Sequence, residues 1–276
     1  MVTIKPLYSL VAHLTDGIET PVLLMKQAQS PHHYNMRPSE RRLLANARMI
    51  IWIGPQMESY LNKVIQQQSV IKVQALQAKD IVLYTARNSD HHSSAHQSSE
   101  HLHSDHATVD PHVWLSAKNA IAISKHISEQ LILNDPAHTE KYEHNLQNLI
   151  TKITLTSAQT KSDLKTSIQP FIAHHDAFQY FEKEHGLNYI DSVTTGEETG
   201  TSLKQLKRIK EQIRNNNIQC VVFQPPRPDI INTLTNQTTI KTAALDPLGL
   251  NIKNHKNAWF EIIEHTTLNF KHCLAP

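Results

Sequence analysis

The chain has 276 residues, enough for one large domain or two of ordinary size. Hydrophobic residues make up 39% and charged residues 19%, a globular balance, and 27 Lys and Arg against 25 Asp and Glu leave a net charge of only +2. So weak a bias gives little support to nucleic acid or a membrane surface as partner, and no apolar run approaches the ~18 residues of a membrane span. Six glycines, with neither GxGxxG nor GxxxxGK[ST], argue against a phosphate-cradling loop, whereas 19 histidines are an excess of the commonest biological metal ligand.

In chain order, short apolar runs ending in turn residues read as buried parallel strands at 49–53, 81–84, 171–173 and 220–223. Met1-Val2-Thr3-Ile4-Lys5 has neither the charged start nor the apolar core of a signal peptide. That is compatible with a cytoplasmic chain or with a mature exported one. Ser116 is placed to cap a helix with Ala117, Ala120, Ile121, Ile127 and Leu131 on one stripe, and Ser202 to cap another that carries Leu203, Leu206, Ile209 and Ile213 inward. Asp135-Pro136 is a helix start, and no Gly or Pro follows before Ser167. Thirty residues of helix would span roughly 45 Å, the length of a connector between two α/β lobes. The expected division is therefore 1–135, a connecting helix over 136–167, and 168–276.

From Arg87 to Asp110 the chain is low in complexity and reads as a flexible surface loop. It holds His91, His92, His96, His101, His103 and His106. Outside it, three histidines stand in suggestive contexts: His32 after Ser30-Pro31, His112 in Asp110-Pro111-His112-Val113-Trp114, and His175 after the strand at 171–173. Asp246 follows the apolar Ala243-Ala244-Leu245. Strand ends are where open α/β sheets place ligand crevices. The two cysteines, Cys220 and Cys273, form no CxxC motif; two buried thiols or one disulfide both fit.

Five segments occur in a shared order: residues 30–39 (SPHHYNMRPS), 52–58 (WIGPQME), 110–116 (DPHVWLS), 175–181 (HDAFQYF) and 245–249 (LDPLG). Together with the His-rich insertion they resemble the zinc-uptake solute-binding proteins of bacterial ABC transporters, the ZnuA type, over essentially the whole chain. The resemblance implies two α/β lobes with parallel sheets, joined by one long rigid helix, with the metal in the cleft between them. It implies His32, His112 and His175 as ligands of a transported Zn²⁺, a Cys220–Cys273 disulfide, a periplasmic location, a membrane permease as partner and a monomer. Pro31 stands where some members have a Glu ligand, which leaves Asp246, water or a loop histidine for the fourth position. Imidazole at 175, where manganese-binding relatives have Glu, points to zinc. The His-rich loop is expected to hold zinc more weakly and to collect or sense it. A manganese- or iron-binding member of the same family, a metal-binding adhesin and a zinc hydrolase, for which no HExxH is present, are the competing functions.

Overall fold

The computed structural model describes residues 1–25, 30–32, 34–87, 108–194 and 202–275. The N-terminal lobe contains α1 (Lys5–Leu14), α2 (Pro38–Ala45), β1 (Met49–Trp52), α3 (Ser59–Gln66), β2 (Ile71–Gln74) and α4 (Ala117–Asn134). β1 and β2 pair in parallel, from Met49 against Ile71 to Trp52 against Gln74. Val2 extends this sheet through single parallel bridges to Ile51 on one side and Leu23 on the other.

The C-terminal lobe contains β3 (Phe171–His175), α6 (Gln179–His185), β4 (Tyr189–Thr194), α7 (Leu203–Asn215), β5 (Cys220–Phe223), α8 (Asp229–Thr235) and β6 (Lys241–Ala244). Its four strands are all parallel, in the order β4-β3-β5-β6. Numbered by appearance within each lobe, both sheets run 2-1-3-4. In such sheets the crevice opens at the carboxyl ends of the strands, where the order reverses.

Between the lobes, α5 (Thr139–Asp163) is 25 residues long, about 37 Å at 1.5 Å per residue. It is shorter than the sequence suggests. Residues Pro136–His138 wind as a 3-10 turn, in which Asp135 takes the His138 ring nitrogen and the Tyr142 hydroxyl on one carboxylate oxygen. At the other end Leu164 turns inward and is 3% exposed. The last helix, α9 (Ala258–Cys273), packs against α1, α5 and β6 and so touches both lobes. One apolar core runs from Val2 and Leu7 through Trp114 and Leu149 to Phe171, Trp259 and Phe270. Trp114 Nε1 donates to the Pro247 carbonyl and Trp259 Nε1 to the Trp114 carbonyl, so both buried indoles bond between the lobes.

Local signals hold where caps decide them. Ser116 Oγ accepts from the Asn119 amide and Ser202 Oγ from the Gln205 amide. Two expectations give way. Residues 81–84 form no strand, because the Asn119 side chain takes both the amide and the carbonyl of Val82, the groups a neighbouring strand would have used. Leu203 does not face inward; at the first turn of α7 it is 86% exposed, while Ile209 is fully buried. Cys220 in β5 is bonded to Cys273 at the end of α9, 53 residues away in sequence.

Candidate metal centre

Three imidazoles converge in the cleft. His32 lies beyond the segment that bridges to Val2, and His112 stands on the turn that leads to α4. His175 is the last residue of β3, paired with Thr194 of β4. Their ring centroids are 5.5 Å (His32–His112), 6.1 Å (His32–His175) and 5.4 Å (His112–His175) apart. One nitrogen from each ring lies within 4.8 Å of the others. A tetrahedral Zn²⁺ with bonds of 2.0–2.1 Å needs ligand nitrogens about 3.3 Å apart. With the nitrogens within 4.8 Å of one another, closing on such an ion asks for a contraction of no more than about 1.5 Å.

Two of the rings are prepared differently. His112 is 4% exposed. Asp110 Oδ1 accepts from its backbone amide at 3.0 Å and lies 2.7 Å from its Nδ1. With the proton on Nδ1, the Nε2 lone pair is left for a metal. Among the described residues neither ring nitrogen of His175 has a hydrogen-bond partner, though both are shielded from solvent. Burial, and then the neighbouring His112, His32 and His174, hold its pKa well below the ordinary imidazole value. A shielded polar group without a partner costs about 1–3 kcal/mol. An ion bound to its lone pair removes that cost, so the donor set fits a borderline-soft divalent cation.

Asp246 stands apart from this group. Its Oδ1 accepts from the Leu248 amide at 3.1 Å and its Oδ2 from the Leu250 amide. Its carboxylate thus caps the turn after β6. A cleft of about 530 Å³ opens beside His175, lined by Ser30, His174, Gln224, Leu248 and Asn251 among others. The six histidines of the insertion, His91, His92, His96, His101, His103 and His106, lie outside the described residues.

Sequence reasoning missed a buried polar network behind the three histidines. Arg87 Nη1 donates to Asp176 Oδ1 at 3.2 Å and Nη2 to Glu182, and the guanidinium sits 3.7 Å above the centre of the Tyr189 ring. With its amide turned so that both ends are satisfied, Gln179 accepts from Arg87 Nε at 3.1 Å and donates to Asp110 Oδ2 at 3.2 Å. Burial pushes Asp176 up to about 6 and Glu182 up to about 7, against the opposing pull of Arg87. The Asp-Pro-His spacing was the one local signal for Asp110 as the partner of His112; nothing local announces Arg87.

A two-lobed α/β fold with three imidazoles meeting in its cleft defines a metal-binding solute-binding protein. The chain belongs to the ZnuA family: the model for zinc-uptake complex component A, periplasmic, matches residues 1–273. It is 30% identical over 304 residues to the high-affinity zinc uptake system protein ZnuA of Brucella suis, covering 100% of this chain and 91% of that one. Among solved structures, a crystal structure of ZnuA superposes with a TM-score of 0.81 at 18% identity, covering 99% of this chain and 98% of that one. The laminin-binding protein of Streptococcus agalactiae, described as both adhesin and metal transporter, superposes equally well at 0.81 and 17% identity, covering 99% and 98%.

Proposed function

We propose that this protein captures Zn²⁺ in the periplasm with His32, His112 and His175, and hands it as a monomer to the membrane permease of an ABC-type importer. The observation that carries the reading is the convergence of three ring nitrogens, two of them prepared for a cation: His112 by Asp110, and His175 by its lack of any partner among the described residues. Kinship with high-affinity zinc uptake proteins supports the same cargo. The fourth position is taken by water, since among the described residues the convergent ligand atoms are those of His32, His112 and His175 and do not include Asp246. An all-nitrogen protein donor set favours zinc over the harder manganese.

The division into 1–135, 136–167 and 168–276 makes α5 a stiff spacer, and the core shared by the lobes restricts opening to a small tilt. The His-rich insertion gathers zinc at weaker sites, because each residue ordered around an ion costs conformational entropy. The protein acts by binding and release, without turnover of a substrate.

Zinc titration against a chromophoric chelator tests the reading, with manganese in competition. The intact protein should bind one zinc ion tightly and others weakly; deletion of 88–107 should remove only the weak ones. His112→Ala should weaken the tight site a hundredfold or more, beyond the 10–100-fold of losing an outer partner. Unchanged affinity in His112→Ala ends the assignment, and equal stoichiometry after the deletion ends the gathering role. Turnover of ester or phosphate substrates would favour a hydrolase instead.

A further inference from the structure

His112 and His175 come from opposite lobes, and a metal fixes the distance between their nitrogens to a few tenths of an ångström. Something must hold the two supports in one frame. Among the described residues, Arg87 is bonded toward both. Through Nη1 it holds Asp176, the residue that follows His175. Through Nε it holds Gln179, which donates to the carboxylate whose other oxygen fixes His112. Its remaining bond, to Glu182, and its stacking on Tyr189 lock the guanidinium onto α6 and β4.

We propose that Arg87 is a positioning residue for the metal site, setting His112 and His175 in register across the cleft through Gln179–Asp110 and Asp176. A guanidinium suits the task because its planar fork presents several N–H groups in fixed directions at once, which an ammonium cannot. The side chain is only 20% exposed, so these bonds are little weakened by water. This role rests on the reading of the three histidines as zinc ligands and extends it to the frame that spaces them.

The test compares four variants of the full chain for zinc affinity and for the intensity of the visible bands of bound Co²⁺, which report the symmetry of the ligand set. Arg87→Met should weaken zinc roughly tenfold, the lower end of outer-partner effects, and alter the Co²⁺ bands. Arg87→Lys should restore affinity only in part. Gln179→Leu cuts the His112 branch and spares the ion pairs, so it should fall between wild type and Arg87→Met. Lys183→Met is the control. Lys183 lies 3.9 Å above the Tyr84 ring in the same interface, without a bond into the network among the described residues, and its loss should leave affinity within twofold and the bands unchanged. A folded Arg87→Met protein with wild-type affinity and Co²⁺ spectrum overturns the proposal. If Arg87→Met does not fold, wild-type affinity in Gln179→Leu overturns it equally. Zinc uptake by neither wild type nor variants would instead sink the transport reading itself.

Discussion

The two lobes share a strand order and hold their parts of the site by different means. The N-terminal lobe has two short strands, and single bridges through Val2 complete its sheet. Much of its backbone near the cleft is irregular, and buried carboxylates fasten it. Glu58 accepts from the Ile53 and Gly54 amides at 3.0 and 3.1 Å and from the Thr3 hydroxyl; Asp110 fixes His112. The C-terminal lobe has a full four-stranded ladder and a disulfide, and its candidate ligand His175 lies within a strand. Asp246, on the turn after β6, is a counterpart there to the carboxylate fasteners. A ligand on a strand inherits its direction from the ladder, whereas a ligand on a turn needs an acceptor side chain to aim it.

The sharpest separation comes from the disulfide. Replacing Cys220 and Cys273 with Ser should cost about 2–4 kcal/mol in chemical denaturation. The zinc affinity of the remaining native protein should change less than threefold, because the bond supports the lobe and not the ligand. A large loss of affinity at full folding would join what the comparison keeps apart.

Next is the pair Asp110→Ala and Thr194→Val. Asp110→Ala should weaken zinc 10–100-fold, since it unfastens a ligand on a turn. Thr194 pairs with His175 in the ladder, and its hydroxyl donates to the His174 carbonyl at 2.9 Å. Its replacement by Val leaves the backbone pairing and should cost no more than threefold. Equal losses measured by chelator competition would break the distinction.

Glu58 offers a test by pH. Burial raises its pKa from 4.5 to about 7, so the folded protein binds this proton more tightly than the unfolded chain. The resulting stability is fully present below pH 4.5 and lost as pH rises through 7. A glutamine can accept both amides on its oxygen and donate to Thr3. Glu58→Gln should therefore flatten the decline in denaturation free energy between pH 5 and 8 by about 1–2 kcal/mol. An identical slope in the variant would show that Glu58 stays ionised.

His175 should produce a pH effect of the opposite sign. Its pKa is lowered in the fold, so the unfolded chain takes up more protons. Stability of the zinc-free protein is complete above about 6.5 and falls with acid, by at most about 1.4 kcal/mol per pH unit. His175→Gln should remove that component, as read by urea midpoints at pH 7, 6 and 5.

Much of this protein is local and was legible from residues alone. Apolar runs specified β1, β3 and β5; hydroxyls at Ser116 and Ser202 specified helix starts; the absence of Gly and Pro after Asp135-Pro136 specified a long helix. Their contexts singled out His32, His112 and His175, which the resemblance to the ZnuA type implied as ligands and which the fold brings within 4.8 Å of one another. What the sequence did not show shares a cause. The segment 81–84 lost its strand to the side chain of Asn119, 37 residues from Val82, and the Asp246 oxygens accept from backbone amides of their own loop. Arg87 lies 89 residues from Asp176 and 95 from Glu182. Periodicity and capping are written within a turn or two of chain, so the sequence by itself determined the elements and nominated the ligands. Which polar groups meet across the lobes depends on how the sheets pack on α5 and on each other, and only the tertiary structure decided that.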